Sequence, residues 1–285
     1  MKSKNNLLII ADMEGTMGIA DMRLQNGSSE EWEVYGRKLL TKEINSAAAG
    51  AIAAGAKKIY LCDAHNSGKN TDDKYLMHIV NKLLPHSCNS NMHTLDTVKD
   101  IYQNYDIGAV VLIGFHPMES NKIGFASHTV DGGKNKKVTI NSTEVGEIAM
   151  IAGVAGYFNI PTIAISGDTE AIKEAKKFIK GIHGIATKEK LKDGRVALRN
   201  LGECEMEIFK SVKTSFSNRK KIKPLTFQTP LQFEYILKKT KNISKLKLPK
   251  GVKRTGLKMK WSDSDYLAAW DKFWSIYMNL MFIDI

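Results

Sequence analysis

Short apolar runs that each end in polar, chemically capable residues recur along this chain. Leu7-Leu8-Ile9-Ile10-Ala11 runs into Asp12-Met13-Glu14-Gly15, and Lys58-Ile59-Tyr60-Leu61-Cys62 into Asp63-Ala64-His65. Gly108 to Gly114 is followed by Phe115-His116, and Pro161 to Ser166 by Gly167-Asp168. Each reads as a short strand buried on both faces, which is the signature of a parallel sheet. Between them lie helical patterns. Glu30 to Ala54 has acids in its first turn and closes on Gly55; Asp73 to Leu84 stops at Pro85; Glu144 to Tyr157 is capped by Thr143; Thr169 to Ile179 follows Asp168. Val138 to Asn141 reads as a short strand, and Asn66 to Asp73 as a turn-rich loop.

The pattern loosens past about residue 184. Glu203 to Phe216 reads as helix, Leu225 to Leu237 as a strand pair around Pro230, and Arg254 to Lys260 as a strand. Ser262 can cap a last helix, Asp263 to Phe282, whose Tyr266, Trp270, Phe273, Trp274 and Tyr277 recur at helical spacing. Such an aromatic stripe predicts core or a subunit interface. Strand–helix alternation predicts an α/β fold, a mainly parallel sheet flanked by helices with a smaller α+β C-terminal part. The expected division is 1–185 for a catalytic domain and 186–285 for a subdomain carrying the substrate pocket and oligomer contacts.

Composition adds a charge asymmetry. The net charge is +12 over 285 residues, and 26 of the 42 basic residues fall after residue 150. Those lysines are dispersed and carry no nucleic-acid motif, so they predict a solvated surface more than a phosphate-backbone or membrane partner. No apolar run approaches the ~20 residues of a membrane helix, and none near the start has the form of a signal peptide. Cys62, Cys88 and Cys204 lack CxxC spacing and read as reduced thiols of a cytoplasmic protein.

The strand ends carry the chemistry. Asp12 and Glu14, at i and i+2 of an extended segment, point to one side, and two carboxylates so close call for a cation between them. His65, His116 and Glu147 recur at the ends of the next strands and at a helix start. These five oxygen and nitrogen donors, with no cysteine, suit two divalent ions such as Zn²⁺ or Mn²⁺ with open positions. Asp12 is the natural bridge between them. His128, in Ala126-Ser127-His128-Thr129, stands outside the series; it could serve as a general acid or base, or be structural. His78, His86, His93 and His183 lack such partners. On residue chemistry alone two further readings stand beside a peptidase: a two-metal phosphoesterase served by the basic half, and a non-enzymatic basic binding module.

Asp12-Met13-Glu14-Gly15, Asp63-Ala64-His65-Asn66, Gly114-Phe115-His116, Ser127-His128 and Val145-Gly146-Glu147 occur in this order, and together they resemble the DppA-like D-aminopeptidases, peptidase family M55. Ala152 to Tyr157, Pro161 and Gly167-Asp168 extend the likeness, which is clear over residues 7 to about 200. The resemblance implies a two-zinc aminopeptidase acting on short peptides of D-amino acids such as D-Ala-D-Ala, with Mn²⁺ or Co²⁺ as substitutes. It implies Asp12, Glu14, His65, His116 and Glu147 as metal ligands, His128 as the catalytic histidine, and a homo-oligomer of ten subunits. Residues 210–260 are more basic than that family pattern.

Overall fold

The structure, a computed structural model, describes residues 4–66, 68–83, 95–239 and 242–283. His86, Cys88, His93 and the expected stop at Pro85 lie outside the described residues.

The chain opens with β1 (Asn6–Ala11), buried at every position. It crosses through α1 (Arg37–Ala53) to β2 (Ile59–Asp63) and then β3 (Ile79–Leu83). α2 (Leu95–Asn104) leads to β4 (Ile107–Phe115), the hairpin β5 (Asn135–Ile140) and β6 (Thr143–Glu144), α3 (Glu147–Tyr157), β7 (Thr162–Asp168) and α4 (Thr169–Phe178). Then come β8 (His183–Lys190), β9 (Val196–Leu198), α5 (Leu201–Ser217), β10 (Leu231–Leu237), β11 (Lys253–Thr255), β12 (Lys258–Asp263) and α6 (Tyr266–Ile283).

Seven strands form one sheet in the order β3-β2-β1-β4-β7-β8-β9, parallel except for β9. β1 sits between β2 and β4, with Ala11 level with Asp63 on one side and Ile113 on the other. Three carboxyl-terminal strand ends therefore share one height. The chain leaves β1 toward β2 on one side, and β4 lies on the other, which makes a topological switch point where α/β sheets bind ligands. The helices seat closely: a Cβ on Gly50 of α1 would stand 2.4 Å from the Phe209 carbonyl oxygen of α5.

The second sheet, β11-β12-β10-β5-β6, is antiparallel throughout and joins a hairpin from the middle of the chain to three strands from its last quarter. β10 alternates, with Leu231, Phe233, Tyr235 and Leu237 buried, as one covered face requires. That face packs on α6, where the Tyr235 and Phe273 rings lie 4.9 Å apart. α6 is tied onward to α3 by the Tyr266 hydroxyl, which donates to the Met150 carbonyl at 2.8 Å. No helix among the described residues is long and apolar enough to cross a membrane.

Five expected elements differ, one of them the strand expected over Arg254–Lys260, which is the antiparallel pair β11 and β12 turning at Gly256, where φ is 60°. The helix expected over Asp73–Leu84 is a short turn followed by strand β3: His78 takes φ 64°, which no helix continues through, and Ile79 and then Asn81, Lys82 and Leu83 pair with the edge of β2. The helix expected from Glu144 begins at Glu147 instead. Asn141 and Ser142, both at positive φ, turn a tight hairpin that pairs Thr143 and Glu144 back on β5. Around Pro230 there is one strand, not two, because 223–228 lack regular structure and Pro230 has no N–H to give a ladder. The last helix starts later than Ser262, which pairs with Gln232 in β12; Asp265 caps it by accepting from the Ala268 N–H at 2.8 Å.

Candidate metal centre

The turn after β1 is shaped by two glycines. Gly15 donates its N–H to the Gly114 carbonyl at 2.7 Å, and a Cβ on Gly15 would stand 1.9 Å from the Phe115 carbonyl oxygen. Gly114 has φ +74°, and a Cβ there would meet the Asp12 carbonyl oxygen at 2.1 Å. Only glycine at both positions lets the two strand ends approach closely enough to bring Asp12 beside His116.

All six residues singled out from the sequence converge. Asp12 Oδ1 lies 2.9 Å from His65 Nδ1, and Asp12 Oδ2 lies 3.3 Å from His116 Nε2. Glu14 Oε2 is 3.2 Å from His65 Nδ1, and Glu147 Oε1 is 3.3 Å from His116 Nε2. The His128 ring stacks on that of His116 at 3.8 Å, with Nε2 3.9 Å from Glu14 and 4.0 Å from Glu147. Donor atoms of Asp12, Glu14 and His65 form one group able to hold a cation, and those of Asp12, His116 and Glu147 another. Asp12 belongs to both, one oxygen facing each. A third grouping, Glu14, His116 and His128, overlaps them.

The protonation pattern supports a cation. His116 Nδ1 is 3.0 Å from the Pro117 carbonyl, which can only accept, so Nδ1 carries the hydrogen. His116 Nε2 then faces carboxylate oxygens, buried and with no hydrogen-bond partner among the described residues, and Glu14 Oε2 is in the same condition. At His65, Nε2 lies 3.1 Å from the Gln25 carbonyl and 2.7 Å from the Asn66 side-chain amide, and Nδ1 faces Asp12 and Glu14. A proton or a metal ion must sit between these acceptors. Burial pulls His65 and His116 down, but the carboxylates outweigh it and hold both imidazoles well above their usual range. Burial pushes Asp12 up, and the two histidines more than reverse that. The donor set fits divalent metal, which would displace those protons and bind less tightly as pH falls.

Asp63, beside His65 in sequence, does not face the centre. It accepts from the Asn70 backbone N–H and side-chain amide at 2.7 and 2.9 Å and so shapes the loop that presents His65. The His128 loop is pinned at several points. Phe125 N–H donates to Asp168, His128 N–H to the Pro117 carbonyl, and Val130 N–H to Glu147 Oε1 at 2.6 Å. Val130 takes φ 63°, a strained conformation for a β-branched residue.

Two supporting residues escaped sequence reasoning. Lys188 on β8 is buried, and its ammonium donates to the carbonyls of Glu14 and Ile19, each at 2.6 Å, while lying 4.8 Å from the Phe125 ring. Glu43 on α1 accepts from the Met17 N–H and from the Ser166 hydroxyl, and Ser166 accepts from Gly114 N–H at 2.9 Å. Neither carries a motif: a lysine in a charged strand and a glutamate in a surface-patterned helix look solvated. Burial pushes Glu43 up to about 7 against the hydrogen bonds that lower it. The folded state thus holds an extra proton between its ordinary pKa, about 4.3, and 7, so the stability tied to that proton is lost as pH rises through 7. Glu43→Gln is expected to flatten the fall in unfolding free energy between pH 5 and 7.5, read by urea denaturation, by at most about 3 kcal/mol. Glu174, also pushed up to about 7 by burial, retains part of the slope; an unchanged profile in the variant would remove Glu43 from it.

The chain matches the family model for peptidase M55, described as D-aminopeptidase, over residues 6–275. It is 30% identical over 224 residues to a D-aminopeptidase of Bacillus subtilis (strain 168), covering 77% of each chain. Its fold is similar to that of the Zn-dependent D-aminopeptidase DppA from Bacillus subtilis, described as a self-compartmentalizing protease. The TM-score is 0.83 at 22% identity, over 98% of this chain and 97% of that one. The chain therefore belongs to the M55 peptidases, the D-aminopeptidase family of hydrolases.

Proposed function

We propose that this protein is a zinc-dependent aminopeptidase with two cations per subunit, removing N-terminal D-residues from short peptides of the D-Ala-D-Ala type. One observation carries the reading: the Asp12 carboxylate divides its two oxygens between His65 and His116, each backed by a further carboxylate. Asp12, Glu14 and His65 would hold one ion, and Asp12, His116 and Glu147 the other. Bound there, the ions supply a water of lowered pKa and a Lewis acid for the scissile carbonyl.

His128 does the proton work. Its Nδ1 lies 2.9 Å from the Ala126 carbonyl and holds the hydrogen that fixes the ring, so Nε2 is left facing the reacting groups, free to take the proton that the attacking water gives up and pass it to the leaving amine. The substrate's free α-amine is held by a site acid, which limits cleavage to the first residue. Residues 1–185 supply these groups, and 186–285 supply a wall of the cavity. The self-compartmentalizing description of DppA supports a homo-oligomer, which we take to be a decamer, working in the cytoplasm.

The test is hydrolysis of paired D- and L-aminoacyl peptides by Zn²⁺-loaded protein, with and without chelator. Chelator-sensitive release of N-terminal D-residues is expected; release that ignores chelator refutes the metal reading. His128→Ala is expected to keep both ions by elemental analysis and to lose about 10²–10⁴-fold in turnover. Near-native turnover would take that role from His128.

A further inference from the structure

The cavity that contains Asp12, Glu14, His65, His128 and Glu147 has a second, apolar half. Met150, Ile151 and Val154 of α3 line it together with Trp270 and Trp274 of α6 and Tyr102 of α2. Met150, Val154 and Trp270 are each at most 3% exposed and Trp274 8%, so this end is walled off from solvent. The two tryptophan rings meet edge to face at 5.8 Å, and the Tyr266–Met150 hydrogen bond locks α6 against α3.

The helix that delivers the acid also lines the apolar half. Met150, Ile151 and Val154 follow Glu147 at i+3, i+4 and i+7, so they stand above it on one face. At 1.5 Å per residue, Val154 lies about 10 Å along the axis from Glu147. A methyl group anchored beside Glu147 would meet only the nearest of these apolar residues, whereas an aromatic or long aliphatic side chain would reach more of them.

We infer that this apolar half is the pocket for the side chain of the substrate's N-terminal residue, and that it selects a large apolar side chain over alanine. The inference rests on the aminopeptidase reading and narrows its substrates from the D-Ala-D-Ala type to peptides that begin with a large apolar residue. A peptide cut after its first residue must send the rest of its chain out through the open mouth, because its length varies; only the first residue can occupy a closed end. A fitted apolar pocket discriminates about 10-fold or more per missing methylene, so phenylalanine or leucine against alanine is worth at least about 100-fold in kcat/KM.

The experiment compares D-Phe, D-Leu, D-Met and D-Ala p-nitroanilides, and their L counterparts, on the Zn²⁺-loaded protein. At least 100-fold higher kcat/KM for the large apolar residues is expected in whichever stereochemical series is cleaved. Equal or better cleavage of the alanine compound would overturn the inference while leaving the aminopeptidase reading intact. Saturable quenching of tryptophan fluorescence by free D-Phe and D-Leu, with none by D-Ala, is the second readout. Quenching without hydrolysis would keep the pocket and reject the peptidase reading, and neither signal would overturn both. Val154→Phe is expected to lower the Phe:Ala ratio at least 10-fold through KM; an unchanged ratio in a folded variant would also overturn the pocket.

Discussion

Asp12→Asn is expected to empty both cation positions at once and to reduce turnover by at least about 10³-fold, more than loss of one well-placed hydrogen-bond donor typically costs. The reason is the division of its oxygens, Oδ1 toward His65 and Oδ2 toward His116. Glu147→Gln touches one position only and should leave the ion held by Asp12, Glu14 and His65. Elemental analysis after gel filtration therefore distinguishes a shared ligand from two independent sites. Two ions lost in Asp12→Asn and one in Glu147→Gln is the expected pattern, and a tightly bound ion surviving in Asp12→Asn would refute the bridge. The fold should persist, because the Asp12 backbone N–H is held by the Ile113 carbonyl at 2.7 Å and asparagine preserves side-chain volume. In the metal-free variant His65 and His116 lose their shared anion, so both imidazoles should titrate lower, which NMR reads directly.

The centre was legible because parallel strands announce themselves. β1, β2, β4 and β7 are buried on both faces, so their apolar runs are continuous, and the register that levels Ala11 with Asp63 and Ile113 brings residues just past each run to one height. The family match then displaces the phosphoesterase and basic-module readings that composition had kept open. What the sequence concealed was structure imposed from a distance. β3 is an edge strand whose pattern also suits a helix, and only its pairing with β2 decides. β8 ends in the charged run Lys188-Glu189-Lys190 and β9 is only three residues long, so neither reads as a strand, yet β8 runs beside β7 and delivers Lys188 inward. The aromatic stripe of α6 is core, as its spacing implied, but Trp270 and Trp274 turn toward the metal centre because α6 lies between the second sheet and α3. No periodicity within one helix reveals which of two neighbours each ring will meet.

Lys188→Met is expected to destabilise the protein by about 3 kcal/mol and to weaken metal binding 10- to 100-fold, although Lys188 touches no candidate ligand side chain. Two effects oppose each other. Burial pushes this lysine down to about 7, against the pull of Glu43, Asp168 and Glu14, so removing the ammonium relieves a real desolvation cost. The loss is larger. The carbonyls of Glu14 and Ile19 both depend on the Lys188 amine, and a neutral amine would still donate to both, whereas methionine donates to neither. Each buried carbonyl left unsatisfied costs about 1–3 kcal/mol. Methionine matches the lysine stem in length and flexibility, so the variant tests the amine rather than a cavity. Thr187, the preceding residue on β8, holds the same turn by donating to the Gly15 carbonyl at 2.7 Å, which should keep the chain folded while the Glu14 segment loosens. A partner that orients a metal ligand typically changes affinity 10- to 100-fold when removed. Zinc titration with a competing chelator, run beside urea denaturation of the metal-free protein, separates the two losses. If stability falls and zinc affinity does not, Lys188 supports the fold alone; if both fall, the turn from Asp12 to Ile19 is held in its metal-binding shape from the far side of the sheet.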